Sequence, residues 1–335
     1  MLAQIGMVLL VGFLGWIYKA TQPPPPNLCG SPNGPPVASP KIKPSDRRYL
    51  SYKERGVPKE EAKYKIIVEL IEELGGYLLS FNIAEYREND PNQMRSVKSE
   101  AFDIQELADQ LEIGSKFYLI GVSMGGNLSG ATGKLPWIRH HKVSDGGNMI
   151  VFETVYVNAI LKQLLLGVDP SSMIAGMSLV VPVVNYWWPS FPANLSRMKW
   201  LPRLAIHEGN PAILSSKDKE TWKKILATPQ PYKEKATQQG VFESLHRDLV
   251  IGFGSWEFDP MELKNPFPNN ESSVYLWQGY EDKLIPFSLQ RYVSGKLPWI
   301  RYHEVPDGGH MFVHETEYAN TIVRQLLLGV KPSSM

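Results

Sequence analysis

At 335 residues, with 43% apolar and 21% charged side chains, the chain can fold as one large globular domain or two small ones. A formal charge of +1 gives no electrostatic pull toward nucleic acid, and no basic cluster or aromatic stacking motif supplies one. Cys29 is the only cysteine, which excludes an intrachain disulfide and a cysteine-built metal site.

Residues 1–19 read as an N-terminal membrane anchor or signal-like segment. Leu2 to Tyr18 is apolar except for Gln4, and Lys19 closes the run. As a helix it is roughly 25 Å long, slightly short of the ~30 Å hydrocarbon core. A cleaved signal peptide would want a basic residue ahead of the apolar run and small residues at a cleavage site, so the anchor reading is preferred. Lys19, Lys41, Lys43, Arg47 and Arg48 all follow the run, an asymmetry that leaves the body of the protein in the cytosol of an endomembrane-anchored, single-pass chain. Residues 20–46 are dense in proline, including Pro23-Pro24-Pro25-Pro26, and read as a stiff extended linker.

The folded domain is expected over residues 47–335. Tyr49 to Glu54 alternates like an edge strand, and Tyr64 to Val68 looks like a buried one. Val68 runs directly into Glu69 to Leu74, a short helical pattern. Tyr77 to Phe81 is a further strand, and Ser96 to Leu111 an amphipathic helix with Phe102, Leu107 and Leu111 available for the core face. Lys116 to Gly126 then gives an apolar strand, Phe117 to Val122, running into a glycine-flanked turn that presents Ser123. Gly121-Val122-Ser123-Met124-Gly125 fits G-x-S-x-G, in which glycines relieve the crowding of a sharp strand-to-helix turn and leave the serine hydroxyl exposed. On its own the pentapeptide is a weak signal; its partners must come from elsewhere.

Residues 133–173 match Gly295 to Met335 at roughly 70% of about 41 positions, an internal duplication that does not form a stacked repeat array. Both copies carry GKLPWIR, an Asp-Gly-Gly turn and a helix ending in LLLGV. Asn148 stands in the upstream copy where His310 stands downstream, and asparagine cannot serve as a base. Met177 to Val184 fits another strand. Residues 185–260 are irregular and rich in Trp and Pro; Trp187, Trp188 and Phe191 line a pocket there or form that region's own small core, the second being preferred. His140 and His141 are adjacent but lack a spaced ligand set, and His207 and His246 have no partner motif.

The C-terminal part restores strong signals. Val274 to Gly279 is an apolar, aromatic-rich strand leading to Asp282, and Phe287 to Val293 is helical. Trp299 to Val305 is a second strand, ending in Pro306-Asp307-Gly308-Gly309-His310. Read as plain structure, Asp282 is a turn former and His310 a loop residue with His303 and His314 as neighbours. Read as chemistry, an acid and an imidazole follow two consecutive strands, in the order Ser123, Asp282, His310.

With these three motifs in place, the chain resembles a plant-type member of the α/β-hydrolase superfamily from about Arg47 to the C-terminus. The resemblance implies an α/β fold, a mostly parallel sheet flanked by helices, with a cap insertion over residues 185–260. It implies Ser123 as nucleophile, His310 as general base, Asp282 as the group that orients and charges the histidine, and the Met124 N–H as one oxyanion donor. It further implies an ester or lipid acyl substrate cleaved through an acyl-enzyme, with no cofactor and no metal. Three departures, the internal duplication among them, make the fold partly degenerate. The histidine–glycine loop that follows the Tyr64–Val68 strand in the family, and donates the second oxyanion N–H, is missing. The glycine-rich Asp-Arg turn after Phe81 is replaced by residues 82–90. The alternative is therefore a catalytically inactive hydrolase-fold relict acting as a binding or scaffolding protein.

Overall fold

The computed structural model describes residues 2–21, 25–61, 64–65, 76–81, 88–92, 94–113, 117–122, 174–182, 189–196, 215–216, 218–220, 239, 251, 254, 259–269 and 272–329. Eight strands are described: β1 (Lys41–Ile42), β2 (Leu50–Gly56), β3 (Tyr64–Lys65), β4 (Gly76–Phe81), β5 (Phe117–Val122), β6 (Ile174–Val180), β7 (Val274–Gly279) and β8 (Ile300–Val305). The principal helices are α1 (Leu2–Thr21), α2 (Val97–Gln110), α3 (Phe287–Lys296) and α4 (Thr316–Leu328).

The strands form two four-stranded sheets, in the orders β1-β2-β4-β3 and β5-β6-β7-β8. The second is parallel throughout, with Val122 opposite Val180, Leu276 opposite Tyr302, and Gly279 opposite Val305. A parallel sheet is covered on both faces, so its strands are apolar without alternation. Strand β7 shows this most fully, being buried at all six positions. Its apolar, aromatic-rich run, closed by glycine, is why the sequence locates it to the residue. Helix α3 packs against β7 and β8, and α4 packs against β6. Leu289, Val293, Ile322, Val323 and Leu326 bring the helices into one core with β5, β6 and β7. Each such side chain, fully buried, contributes about 1.5–3 kcal/mol.

The sheet containing β1 to β4 is mixed. Strands β2 and β4 pair antiparallel from Tyr52–Phe81 to Gly56–Tyr77, and β3 pairs parallel to β4. The proline-dense stretch expected to be a stiff extended linker is joined to this sheet at its end. Lys41 and Ile42 pair with Ser51 and Leu50, and Ile42 is buried. The Ala38 and Ser39 N–H groups donate to Glu88 Oε2 at 3.0 and 2.9 Å.

Helix α2 begins at a capping box in which Ser96 and Ser99 satisfy each other's backbone N–H groups. Its inner face carries Glu100, Asp103, Ile104, Leu107 and Ala108, all buried. Leu107 is buried and Leu111 packs against the core as expected, but Phe102 is 41% exposed. The reason is helical phase. At about 100° per residue, position 102 lies nearly opposite position 104. The inner face there is taken by Asp103 and Glu100, which pair with Arg48 and Arg95.

Strand β6 runs three residues earlier than the sequence suggests and stops at Val180. Val181 takes a left-handed conformation (φ 45°), uncommon for a β-branched residue, and ends the strand while its N–H still donates to Trp277 O at 2.8 Å. Helix α1 forms where the sequence places it, with Met7, Leu9, Leu10, Phe13, Leu14 and Trp16 exposed. Among the described residues, however, no helix is long and apolar enough to cross a membrane. The expectation of a membrane-spanning helix is corrected accordingly. The upstream duplicated copy, residues 133–173, lies outside the described residues.

Candidate active site

The site grows from the ends of β7 and β8, which lie side by side at one edge of the parallel sheet. Strand β7 stops at Gly279, where two loops meet so closely that only glycine fits. A Cβ there would lie 2.3 Å from Gly309 O and 2.4 Å from Gly308 O. The loops are then hydrogen-bonded to each other. Tyr280 N–H donates to Val305 O and Glu281 N–H to Gly308 O, both at 2.9 Å.

Asp282 sits in the first loop, 5% exposed. Its Oδ1 accepts the backbone N–H groups of Leu284 at 2.8 Å and Ile285 at 2.9 Å. Its Oδ2 accepts from Gln278 Nε2 at 3.0 Å and lies 2.8 Å from His310 Nδ1. Gln278, the fifth residue of β7, is itself held by Ile285 O at 2.9 Å. The carboxylate is thus fixed on both oxygens, and its orientation dictates where the imidazole must lie. With an oxygen as its neighbour, Nδ1 is the protonated ring nitrogen, which leaves Nε2 as the nitrogen able to accept a proton.

His310 is 2% exposed. The turn that carries it is anchored from several sides: Tyr318 Oη donates to Asp307 Oδ1 at 2.7 Å, and the Phe312 and Tyr318 rings meet edge-on at 5.5 Å. A further anchor comes from far away in sequence. Asp218 accepts the His310 N–H on Oδ2 at 2.9 Å and the Met311 N–H on Oδ1 at 2.8 Å. Burial opposes charging the His310 ring; the charge and hydrogen bond of Asp282, with the charge of Asp218, outweigh it and raise the His310 pKa above the ordinary imidazole value.

The other histidine of β8 is built differently. His303 stacks on Trp277, with ring centroids 4.4 Å apart, and its Nε2 lies 2.9 Å from Gln325 Nε2. Burial and Arg301 lower its pKa. It is a packing residue of the sheet. Phe191, offered by the sequence as pocket lining or local core, is buried and meets Tyr292 edge-on at 5.3 Å, which favours packing.

Residues 87–323 match the Alpha/beta hydrolase family, more than half of the chain. The chain belongs to that family. Solved structures of similar fold agree with this alpha/beta hydrolase assignment. An esterase from Thermogutta terrifontis is 15% identical with a TM-score of 0.55, the match covering 88% of this chain and 99% of that one. The esterase EaEST from Exiguobacterium antarcticum is 16% identical with a TM-score of 0.51, covering 86% and 99%. Est816, described as an N-acyl homoserine lactone degrading enzyme, is 13% identical with a TM-score of 0.54, covering 86% and 100%. At these identities the likeness concerns fold. No curated protein matches the sequence.

Of the site residues expected from sequence, this alpha/beta hydrolase brings Asp282 and His310 into direct contact at the ends of two paired strands. Ser123 and Met124 lie outside the described residues; β5 ends at Val122, immediately before them, in the same parallel sheet. Trp187 and Trp188 also lie outside the described residues. Gln278 and Asp218 were not anticipated. Gln278 is a polar residue within an apolar strand, a signal that could have singled it out. Asp218 stands three residues after Ser215, the spacing of a local capping box, and nothing in that pattern points 92 residues onward.

Proposed function

We propose that the chain is a serine hydrolase that cleaves an ester or lipid acyl group through an acyl-enzyme. Ser123 Oγ attacks the carbonyl carbon, His310 Nε2 takes the hydroxyl proton, and the Met124 N–H stabilises the oxyanion. Collapse of the tetrahedral intermediate expels the alcohol, which receives the proton from His310. Water then repeats the sequence to release the acid. The observation that carries this reading is the buried 2.8 Å contact between His310 Nδ1 and Asp282 Oδ2, which leaves Nε2 for the proton. The esterase names of the structural neighbours favour small-molecule esters as the substrate class.

The test is labelling of purified protein with a fluorescent fluorophosphonate beside Ser123→Ala and His310→Ala controls. Labelling that both substitutions abolish supports the hydrolase. A well-folded sample that takes no label leaves the second reading, a hydrolase-fold protein that binds or scaffolds without reacting. One observation favours that reading. Strands β3 and β4 pair in parallel with about ten residues between them, fewer than the dozen or so a parallel crossover normally needs. That length leaves little room for a further oxyanion-donating loop.

We also read α1 as a lipid-contacting helix, on the strength of its exposed Leu9, Leu10, Phe13 and Trp16. Co-sedimentation with phosphatidylcholine vesicles checks this. Full-length protein pellets with the vesicles and protein lacking residues 1–21 stays in the supernatant; equal behaviour of the two would sink the idea.

A further inference from the structure

The carboxylate of Asp218 is buried, 2% exposed, and spends both oxygens on consecutive backbone N–H groups of the turn that carries His310. It is itself held in place. Its own N–H donates to Ser215 Oγ at 3.0 Å, and the Lys219 N–H donates to Ser215 O at 3.0 Å, closing one helical turn. In an S-x-x-D capping pattern the acid ordinarily folds back onto the N-cap N–H. Here both oxygens point to the histidine turn instead. The fit between the two segments is close. A Cβ on Gly309 would lie 2.3 Å from each Asp218 carboxylate oxygen, so the turn can rest on Asp218 only because residue 309 has no side chain.

We infer that Asp218 is a positioning residue, a latch from the region between β6 and β7 that fixes the His310 turn in the place where its ring meets Asp282. The inference rests on the hydrolase reading for its catalytic meaning. Two consecutive N–H groups captured by one carboxylate fix both the position and the tilt of the turn. A single hydrogen bond would fix position alone. The latch also ties the segment covering residues 215–220, inside the stretch expected to form the cap, to the catalytic dyad. A displacement of that segment would carry the His310 backbone with it, and a site about 1 Å out of place loses much of its rate. The arrangement also sets a second negative group toward His310 beside Asp282. Both acids favour the charged form of the ring.

The test uses full-length protein and two readouts. The titration of His310, followed by imidazole resonances in ¹H–¹⁵N NMR, does not require catalysis. The fluorophosphonate labelling rate against pH does. Asp218→Asn keeps the shape and removes the charge. The expected result is a His310 titration at lower pH than in the unaltered protein, an acidic limb of the labelling profile displaced the same way, and labelling about tenfold slower. A variant with unchanged titration and unchanged labelling overturns the inference.

Gly309→Ala, alone and with Asp218→Ala, guards against a variant that merely folds poorly. The added methyl collides with the carboxylate, so it should slow labelling about tenfold alone but less than about threefold once Asp218 is removed. Additive losses overturn the latch. If the unaltered protein takes no label, the hydrolase reading falls while the His310 titration still decides the role of Asp218.

Discussion

Strand β7 is buried at all six positions between two parallel partners, whereas the inner face of α2 buries two ion pairs, Arg48 with Asp103 and Arg95 with Glu100. The two regions reach similar burial by different chemistry. Around β7, apolar side chains fill the space, and at the strand end the two Asp282 oxygens accept from Gln278, Leu284 and Ile285 and meet His310. Around α2, charges are taken out of water and depend on their partners. Apolar packing tolerates a change of pH; a buried charge does not. The dyad combines the two: it sits at the end of the apolar strand, and its ring and turn are held by the buried carboxylates of Asp282 and Asp218.

The largest effect expected from breaking this contrast is at the dyad. Asp282→Asn should lower the fluorophosphonate labelling rate by about 10⁴, because the imidazole loses the partner that fixes its tautomer. A rate within tenfold of the unaltered protein would show that the 2.8 Å contact is not used in reaction. On the other side of the contrast, Arg95→Ala leaves Glu100 buried without this cation and should cost about 3–5 kcal/mol in urea unfolding. Leu276→Ala in β7 should cost about 2–5 kcal/mol with little dependence on pH. A pH-independent loss in Arg95→Ala would erase the distinction between the two regions.

Titration separates them further. Burial and the neighbouring Glu100 raise Asp103 to about 7 despite its Arg48 partner. The fold therefore holds a proton that the unfolded chain has released, and this contribution to stability is lost as pH rises between about 4 and 7. Asp103→Asn should flatten that slope in unfolding measured across pH; an unchanged slope would place its origin elsewhere. The contribution of His310, whose folded pKa is also raised, is present below its unfolded value of 6.5 and is lost as pH rises through the folded one. The smallest effect is at Phe102, exposed on α2, where Phe102→Ser should change stability by no more than about 0.5 kcal/mol. A loss above about 1.5 kcal/mol would contradict the helical phase described for α2.

How much of this was legible in the sequence depended on whether the signal was local. Strand β5 is an apolar run and β7 an apolar run broken by Gln278, both bounded by recognisable turns, and their limits coincide with those expected. The start of β6 is hard to see in the sequence because Ile174-Ala175-Gly176 looks weak as a strand, although Gly176 pairs with Tyr118, whose ring lies 3.0 Å from where a Cβ would stand. Phe102 misled because hydrophobicity alone gave it an inner position, while the paired acids Glu100 and Asp103 took the inner face. Asp282 and His310 were legible as residue types at the ends of strands. Their mutual contact, and the approach of Asp218, depend on tertiary placement that no spacing encodes. Ser123 and Met124, the other expected members of the site, lie outside the described residues.

The dyad also has a consequence for the order of folding. Asp282 and His310 are only 28 positions apart, and the unit that joins them is a single strand–helix–strand segment, β7–α3–β8. The chain entropy lost in closing that loop is small, so the acid and the imidazole can meet early, before distant segments arrive. Asp218 must be brought in across 92 positions and β5 from farther still. Pulse-labelling hydrogen exchange during refolding should therefore show the Leu284 and Ile285 amides, which bond Asp282, protected ahead of the His310 and Met311 amides, which bond Asp218. In such a sequence of events the half-built site waits for its long-range tie, and the last contact made is the first that a destabilising change would release.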